Sequence, residues 1–254
     1  MTVETAQPES VQEFVFAPLT AVGLNLHAVF TLASLPSDVL NSLNLSPQEI
    51  LQFRQLIVIG NAGRHLWEVL SQHGMHGTDP IDDFVSAKVS TWIRETVKCN
   101  HSCQVFPGER LLALQRLGEL AGWHHSSPFW VGINSAWGSW FAYRAVLLTD
   151  TNFAVTQRDD ATSPCDTCTG KTCISNCPAD ALNSNGRTGS KGIQTCLDFR
   201  TMPGSPCQER CLARNACPVG SEHRYNDQQM AYHYLHSLDA IRRYRVPPYG
   251  EPNT

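Results

Sequence analysis

The chain has no apolar run long enough to span a bilayer, so a membrane-spanning helix is not expected. Basic residues are not in excess: 19 Lys and Arg stand against 23 Asp and Glu, a formal charge of −4. A net acidic chain is a poor general ligand for nucleic acid. The first residues, Met1 to Gln12, carry neither a basic cluster nor an apolar stretch, so a secretory leader is not expected either. Together these absences lead to the expectation of a cytoplasmic protein in a reducing compartment, with no membrane partner. There, clustered cysteines hold metal more often than they pair. With 254 residues, 42% of them hydrophobic, the chain can still bury a substantial core.

Cysteine is abundant. Eight of the ten cysteines fall between Cys165 and Cys217. The first run is Cys165, Cys168, Cys173 and Cys177-Pro178; the second is Cys196, Cys207, Cys211 and Cys217-Pro218. Two sets of four thiols, each closing on Cys-Pro, are the pattern of a pair of [4Fe–4S] clusters and of one-electron chemistry. In two-cluster ferredoxins the cysteine before proline serves the other cluster. Applied here, cluster 1 takes Cys165, Cys168, Cys173 and Cys217, and cluster 2 takes Cys177, Cys196, Cys207 and Cys211. The spacing departs from the bacterial C-x2-C-x2-C-x3-C-P run, because four residues, Thr169 to Thr172, separate the second and third cysteines. Zinc in two four-thiolate sites is the competing metal, but it favours paired Cys-x2-Cys hooks, and only Cys165/Cys168 forms one. Lys171, Arg187, Lys191, Arg200, Arg210 and Arg214 lie among these cysteines and are read as offsetting cluster charge. Cys99 and Cys103, with His101 between them, are read as small apolar residues at a helix end and a strand start.

Residues 1–12 are expected to form a disordered tail. Strands are expected at 23–32, 56–59, 104–106 and 143–148, from alternating or β-branched apolar runs. A capping box, Ser46-Pro47-Gln48-Glu49, predicts a helix start. Further helices are expected from Asp79-Pro80 to about Lys98, from Glu109 to Leu120, and from Gln228 to Tyr244. Polar residues become dense from Arg158 onward. The chain is therefore divided into an α/β domain at 13–160, a double-cluster domain at 161–222, and a C-terminal helix and tail at 223–254.

Between these regions the sequence reads Leu117-Gly-Glu-Leu-Ala-Gly-Trp123, then Phe129-Trp-Val-Gly132-Ile-Asn134-Ser-Ala-Trp-Gly138-Ser139-Trp140-Phe141, then Val146-Leu-Leu-Thr-Asp150. Followed by the double cysteine run, this resembles the epoxyqueuosine reductase family, and in outline the reductive dehalogenases. The resemblance is clear over 105–220. It implies an α+β protein: a nitroreductase-like α/β N-terminal domain, a ferredoxin-like domain with two clusters, and a C-terminal helix. It further implies a cobalamin held by the N-terminal domain, electrons reaching it from the clusters, and a low-potential donor such as ferredoxin or flavodoxin. Gly132, Asn134, Gly138, Ser139 and Trp140 match the segments expected to contact the corrinoid. The family carries an Asp general acid before the Leu-rich helix. Here that segment is Phe106-Pro-Gly-Glu109-Arg110, so Glu109 is the candidate proton donor. The family's tRNA-binding members have a longer C-terminal helical region, so tRNA is not the favoured substrate. The alternative is a double-cluster ferredoxin-type electron carrier without catalysis of its own.

Overall fold

The computed structural model describes residues 11–158, 161–182 and 190–244. Arg187 and most of the expected N-terminal tail fall outside them. Gln12 does not belong to a disordered tail: its N–H donates to Asn152 O at 2.8 Å, and it bridges to Phe153. The chain divides into two compact units. The first is Met1–His125 with Trp140–Ala161, and the second is Ser126–Ser139 with Thr162–Thr254.

The first unit is built on a four-stranded antiparallel sheet. Its strands are β1 (Leu26–Thr31), β2 (Gln55–Ala62), β3 (Ser102–Phe106) and β4 (Phe141–Thr149), in the order β1-β2-β4-β3. All eight residues of β2 are buried, so both sheet faces are covered there. That is why Leu56-Ile57-Val58-Ile59 reads as a continuous apolar run rather than an alternating one. The helices of this unit are α1 (Ala17–Thr20), α2 (Ser37–Leu43), α3 (Pro47–Gln52), α4 (His65–His73), α5 (Pro80–Trp92) and α6 (Leu114–Leu120). Together they make a mixed helix-and-sheet fold. The capping box forms as the sequence predicts: Ser46 Oγ accepts from Glu49 N, and Glu49 Oε2 accepts from Ser46 N at 2.8 Å. Beyond α5 the chain continues as a π-helical turn over Ile93–Val97 and stops at left-handed Lys98.

The helix expected from Glu109 is shorter than its sequence suggests, beginning only at Leu114. Residues 109–113 are tethered instead. Arg110 donates to Leu43 O at 2.9 Å and to Glu49 Oε1, while Ala113 N donates to Ser42 Oγ at 3.2 Å. Leu111, inside the expected helix, is 94% exposed. Helix propensity is worth only tenths of a kcal/mol per residue, so a few such tethers override it.

The second unit has little regular structure. It contains α7 (Thr172–Ser175), α8 (Ser190–Thr201), α9 (Leu212–Asn215), a short 3-10 turn at Ser221–His223, and α10 (Asp227–Tyr244). One core cluster of this unit joins Phe129, Ile133, Cys173, Leu182, Ala213 and Cys217, so two cysteines pack among its apolar side chains. Tyr225, Met230 and Leu238 are buried in the same unit. Among the described residues no helix is long and apolar enough to cross a membrane.

Candidate metal centre

Cys165, Cys168, Cys173 and Cys217 line one cavity of the second unit. Cys177, Cys196, Cys207 and Cys211 line another, of about 180 Å³. Cys177 and Cys217 therefore each leave the run they belong to in sequence. The charge interactions fall into the same two sets. Cys165 is influenced by Cys217, Cys173 and Cys168, whereas Cys196 is influenced by Cys211, Cys177 and Cys207. Phe129 forms part of the wall of both cavities.

Burial raises the thiols of Cys165, Cys173, Cys207, Cys211 and Cys217, and pushes Cys196 up to about 11. Without a metal these groups would be neutral thiols. The surrounding structure opposes that rise. Arg214 N donates to Cys211 Sγ at 3.4 Å, and backbone N–H groups of Leu212, Ile174 and Val219 favour the thiolates of Cys207, Cys173 and Cys217. Cations grip the cysteine carbonyls: Lys171 Nζ donates to Cys165 O at 3.2 Å, Arg200 to Cys207 O at 3.2 Å, and Arg224 to Cys217 O at 3.3 Å. The guanidinium of Arg214 also opposes the rise at Cys211. Buried and half-buried thiols ringed by N–H donors and positive charge suit an anionic cluster.

Among the described residues no three ligating side chains converge as a lone metal ion would require. All cysteines are free thiols. Cys99 and Cys103 are half-buried and belong to the first unit, apart from both sets; burial and Asp150 push Cys99 up.

The segment matched to corrinoid contacts is engaged within the chain. Gly132 is buried. Asn134 is buried, its N–H donating to Gly138 O at 2.8 Å and its Oδ1 accepting from Ala136 N at 2.8 Å. Ser139 is 1% exposed and is held by Arg214, whose Nε donates to its Oγ at 3.0 Å and whose Nη2 donates to its carbonyl. Trp140 is fully buried and belongs to the first unit. Gly138 does permit a close backbone approach, but the backbone that approaches is the chain's own. With φ at +58°, a Cβ there would lie 2.0 Å from Val219 O. These five residues, as placed, offer no open wall to a corrin ring. Glu109 is exposed on the loop before α6, while the neighbouring Arg110 makes the contacts.

Spacing alone did not point to Arg224 or to Phe129. Arg224 follows Cys217, the last cysteine, and Phe129 precedes Cys165 by more than thirty residues.

The comparisons with known proteins agree with this geometry at the level of fold. The chain has an epoxyqueuosine reductase-like fold. It superposes on a selenomethionine-labelled epoxyqueuosine reductase with a TM-score of 0.53 at 16% identity, over 83% of this chain and 66% of that one. A second epoxyqueuosine reductase, solved with an epoxyqueuosine-modified tRNA-Tyr stem loop, gives 0.52 at 17% identity, over 84% and 66%. The enzyme from Streptococcus thermophilus gives 0.50 at 14% identity, over 79% and 64%. The chain thus spans just under two thirds of the length of these reductases. No family model matches it, and no curated protein matches it in sequence.

Proposed function

We propose that the protein is a two-cluster iron–sulfur redox protein of the epoxyqueuosine reductase type. Cys165, Cys168, Cys173 and Cys217 would hold one [4Fe–4S] cluster, and Cys177, Cys196, Cys207 and Cys211 the other. When bound, such clusters supply one-electron transfer at low potential. The residues around them have definable tasks. Lys171, Arg200 and Arg224 fix the cysteine carbonyls and bring positive charge to an anionic site. Phe129 keeps the space at both cavities dry. Arg214 ties the Gly138–Ser139 turn to the Cys211 loop. The observation that carries the reading is the separation of eight thiols into two cavities of four.

A reductase with a corrinoid in the first unit is the finer form of this reading. The five residues matched to corrin contacts do not fit that task as they are placed. A ferredoxin-type carrier without chemistry of its own is the second reading, favoured by the engagement of 132–140 within the chain. A ferredoxin or flavodoxin is the proposed electron donor in either case. A tRNA substrate, as bound by one of the similar structures, belongs only to the reductase form.

Iron, labile sulfide and cobalt in anaerobically isolated protein decide between these. Eight irons with cobalt taken up at one per chain support the reductase. Eight irons with no uptake of added cobalamin support the carrier. Zinc or cystine in place of iron and sulfide defeats both.

A further inference from the structure

The eight thiols are not equally anchored. Seven of them have another cluster cysteine within six residues, as in Cys165/Cys168, Cys173/Cys177, Cys207/Cys211 and Cys211/Cys217. Cys196 stands alone, nineteen residues after Cys177 and eleven before Cys207. Cys173, Cys207 and Cys217 are buried, and Cys165, Cys177 and Cys211 pack against the apolar cluster around Phe129 and Ile133. Cys168 sits on a short loop between Cys165 and Cys173. Cys196 is half-buried and rides on α8, a helix of twelve residues of which none is buried. Elements with few buried contacts are the first to open.

Arg200 ties that helix down. It follows Cys196 by one helical turn, so the two share a face, and both line the cavity of the second thiol set. Its guanidinium forks in three directions. Nε donates to Cys207 O at 3.2 Å, Nη2 to Tyr234 O at 3.1 Å, and Nη1 to Ser237 Oγ at 3.3 Å. It also lies 5.0 Å from the centre of the Tyr234 ring. One side chain therefore joins α8 to α10 and to the Cys207 loop, which supplies another thiol of the same set.

We propose that Arg200 is the positioning residue for Cys196, and that the Cys196 corner of the second cluster is the first to open on oxidation. The inference rests on the cluster reading. The oxidant is an added one-electron acceptor, ferricyanide, which takes [4Fe–4S]2+ to [4Fe–4S]3+ and is itself reduced to ferrocyanide. Loss of one Fe2+ from the Cys196 corner then leaves [3Fe–4S]+. The Fe–S bond to Cys196 breaks, its thiolate takes a proton from water, and the other seven thiolates stay bound.

The test uses the full chain, loaded anaerobically and treated with one equivalent of ferricyanide. Iron should fall from eight to about seven per chain, with the electron paramagnetic resonance signal of one [3Fe–4S]+ centre. Iodoacetamide labelling read by peptide mass spectrometry should mark Cys196 ahead of the other seven cluster cysteines. Arg200→Met should speed the conversion about tenfold, the worth of one hydrogen bond from a charged group. Arg200→Lys, which keeps the charge without the fork, should show a smaller rise, and it serves for the comparison if Arg200→Met does not load. Gln194→Ala, which removes only the exposed bond to Asp198 within α8 at 2.9 Å, should convert at the wild-type rate. First labelling at any other cluster cysteine overturns the labile corner. Wild-type rates in the Arg200 variants overturn the tie. Zinc, or no iron, in untreated wild type overturns the cluster reading itself.

Discussion

Arg214 holds Ser139 by two hydrogen bonds, Nε to Oγ at 3.0 Å and Nη2 to the carbonyl. Its guanidinium also lies 5.4 Å from the Tyr225 ring centre, and its backbone N–H caps Cys211 Sγ. One buried residue thus joins a turn at 138–139 to the Cys211 loop 75 residues later. Hydrogen bonds made by a charged group are each worth about 1.5–3 kcal/mol. Arg214→Met should lower stability by about 3 kcal/mol and speed the loss of iron. Arg214→Lys keeps the charge but not the two-pronged contact, so it should recover only part of that. Anaerobic urea unfolding followed by circular dichroism measures both, and a wild-type midpoint for Arg214→Met would remove the tie from the account.

Three glycines with positive φ should respond unequally to alanine. At Gly138 a Cβ would meet Val219 O at 2.0 Å, and at Gly220 it would meet Gly138 N at 2.3 Å. At Gly204 it meets nothing within 4 Å. Left-handed backbone alone costs a non-glycine residue about 1–2 kcal/mol. Gly204→Ala should therefore lose about that much. Gly138→Ala and Gly220→Ala should lose well over it, because backbone must move in both. Thermal midpoints of the three variants, read side by side, check the order.

Stability should also fall in mild acid through two histidines, the buried His124 and the more exposed His27. Burial lowers the pKa of His124, whose Nδ1 lies 3.3 Å from the Tyr143 hydroxyl. It likewise lowers that of His27, packed against Phe14 and Phe16. Above about pH 6.5 both are neutral in the folded and unfolded chain, and they add no pH dependence. Below that, the unfolded chain takes up protons that the folded chain refuses. Stability is then lost progressively until the folded pKa is reached. The thermal midpoint of wild type should drop more steeply between pH 6.5 and 5 than that of His124→Gln. Parallel slopes would mean that His124 does not contribute.

The two runs of four thiols were legible because the Cys-Pro signature is a local property of the chain, and the two-cluster ferredoxin pattern led to the expectation that Cys177 and Cys217 change places, as they do in lining the two cavities. The strands were legible for a similar reason: Leu56-Ile57-Val58-Ile59 can hardly be anything but a buried strand. What was not legible depended on contacts distant in sequence. Leu111 lies in a helix-prone stretch, yet Arg110 is drawn to Leu43 and Glu49, more than sixty residues earlier. Gly138 announced a close approach, but nothing nearby in sequence says that Val219 is the partner. Phe129 gave no sign that it would border both thiol-lined cavities.

The most direct test of the central claim is iron counted in paired Cys→Ala variants. Cys217 lines the cavity of Cys168, and Cys177 that of Cys207. The account predicts that Cys168→Ala/Cys217→Ala leaves one cluster, half of the wild-type iron, as does Cys177→Ala/Cys207→Ala. Cys207→Ala/Cys217→Ala, which removes one ligand from each cavity, should leave almost none. Half-loading in that last variant, or zinc in the wild-type protein, would contradict the account.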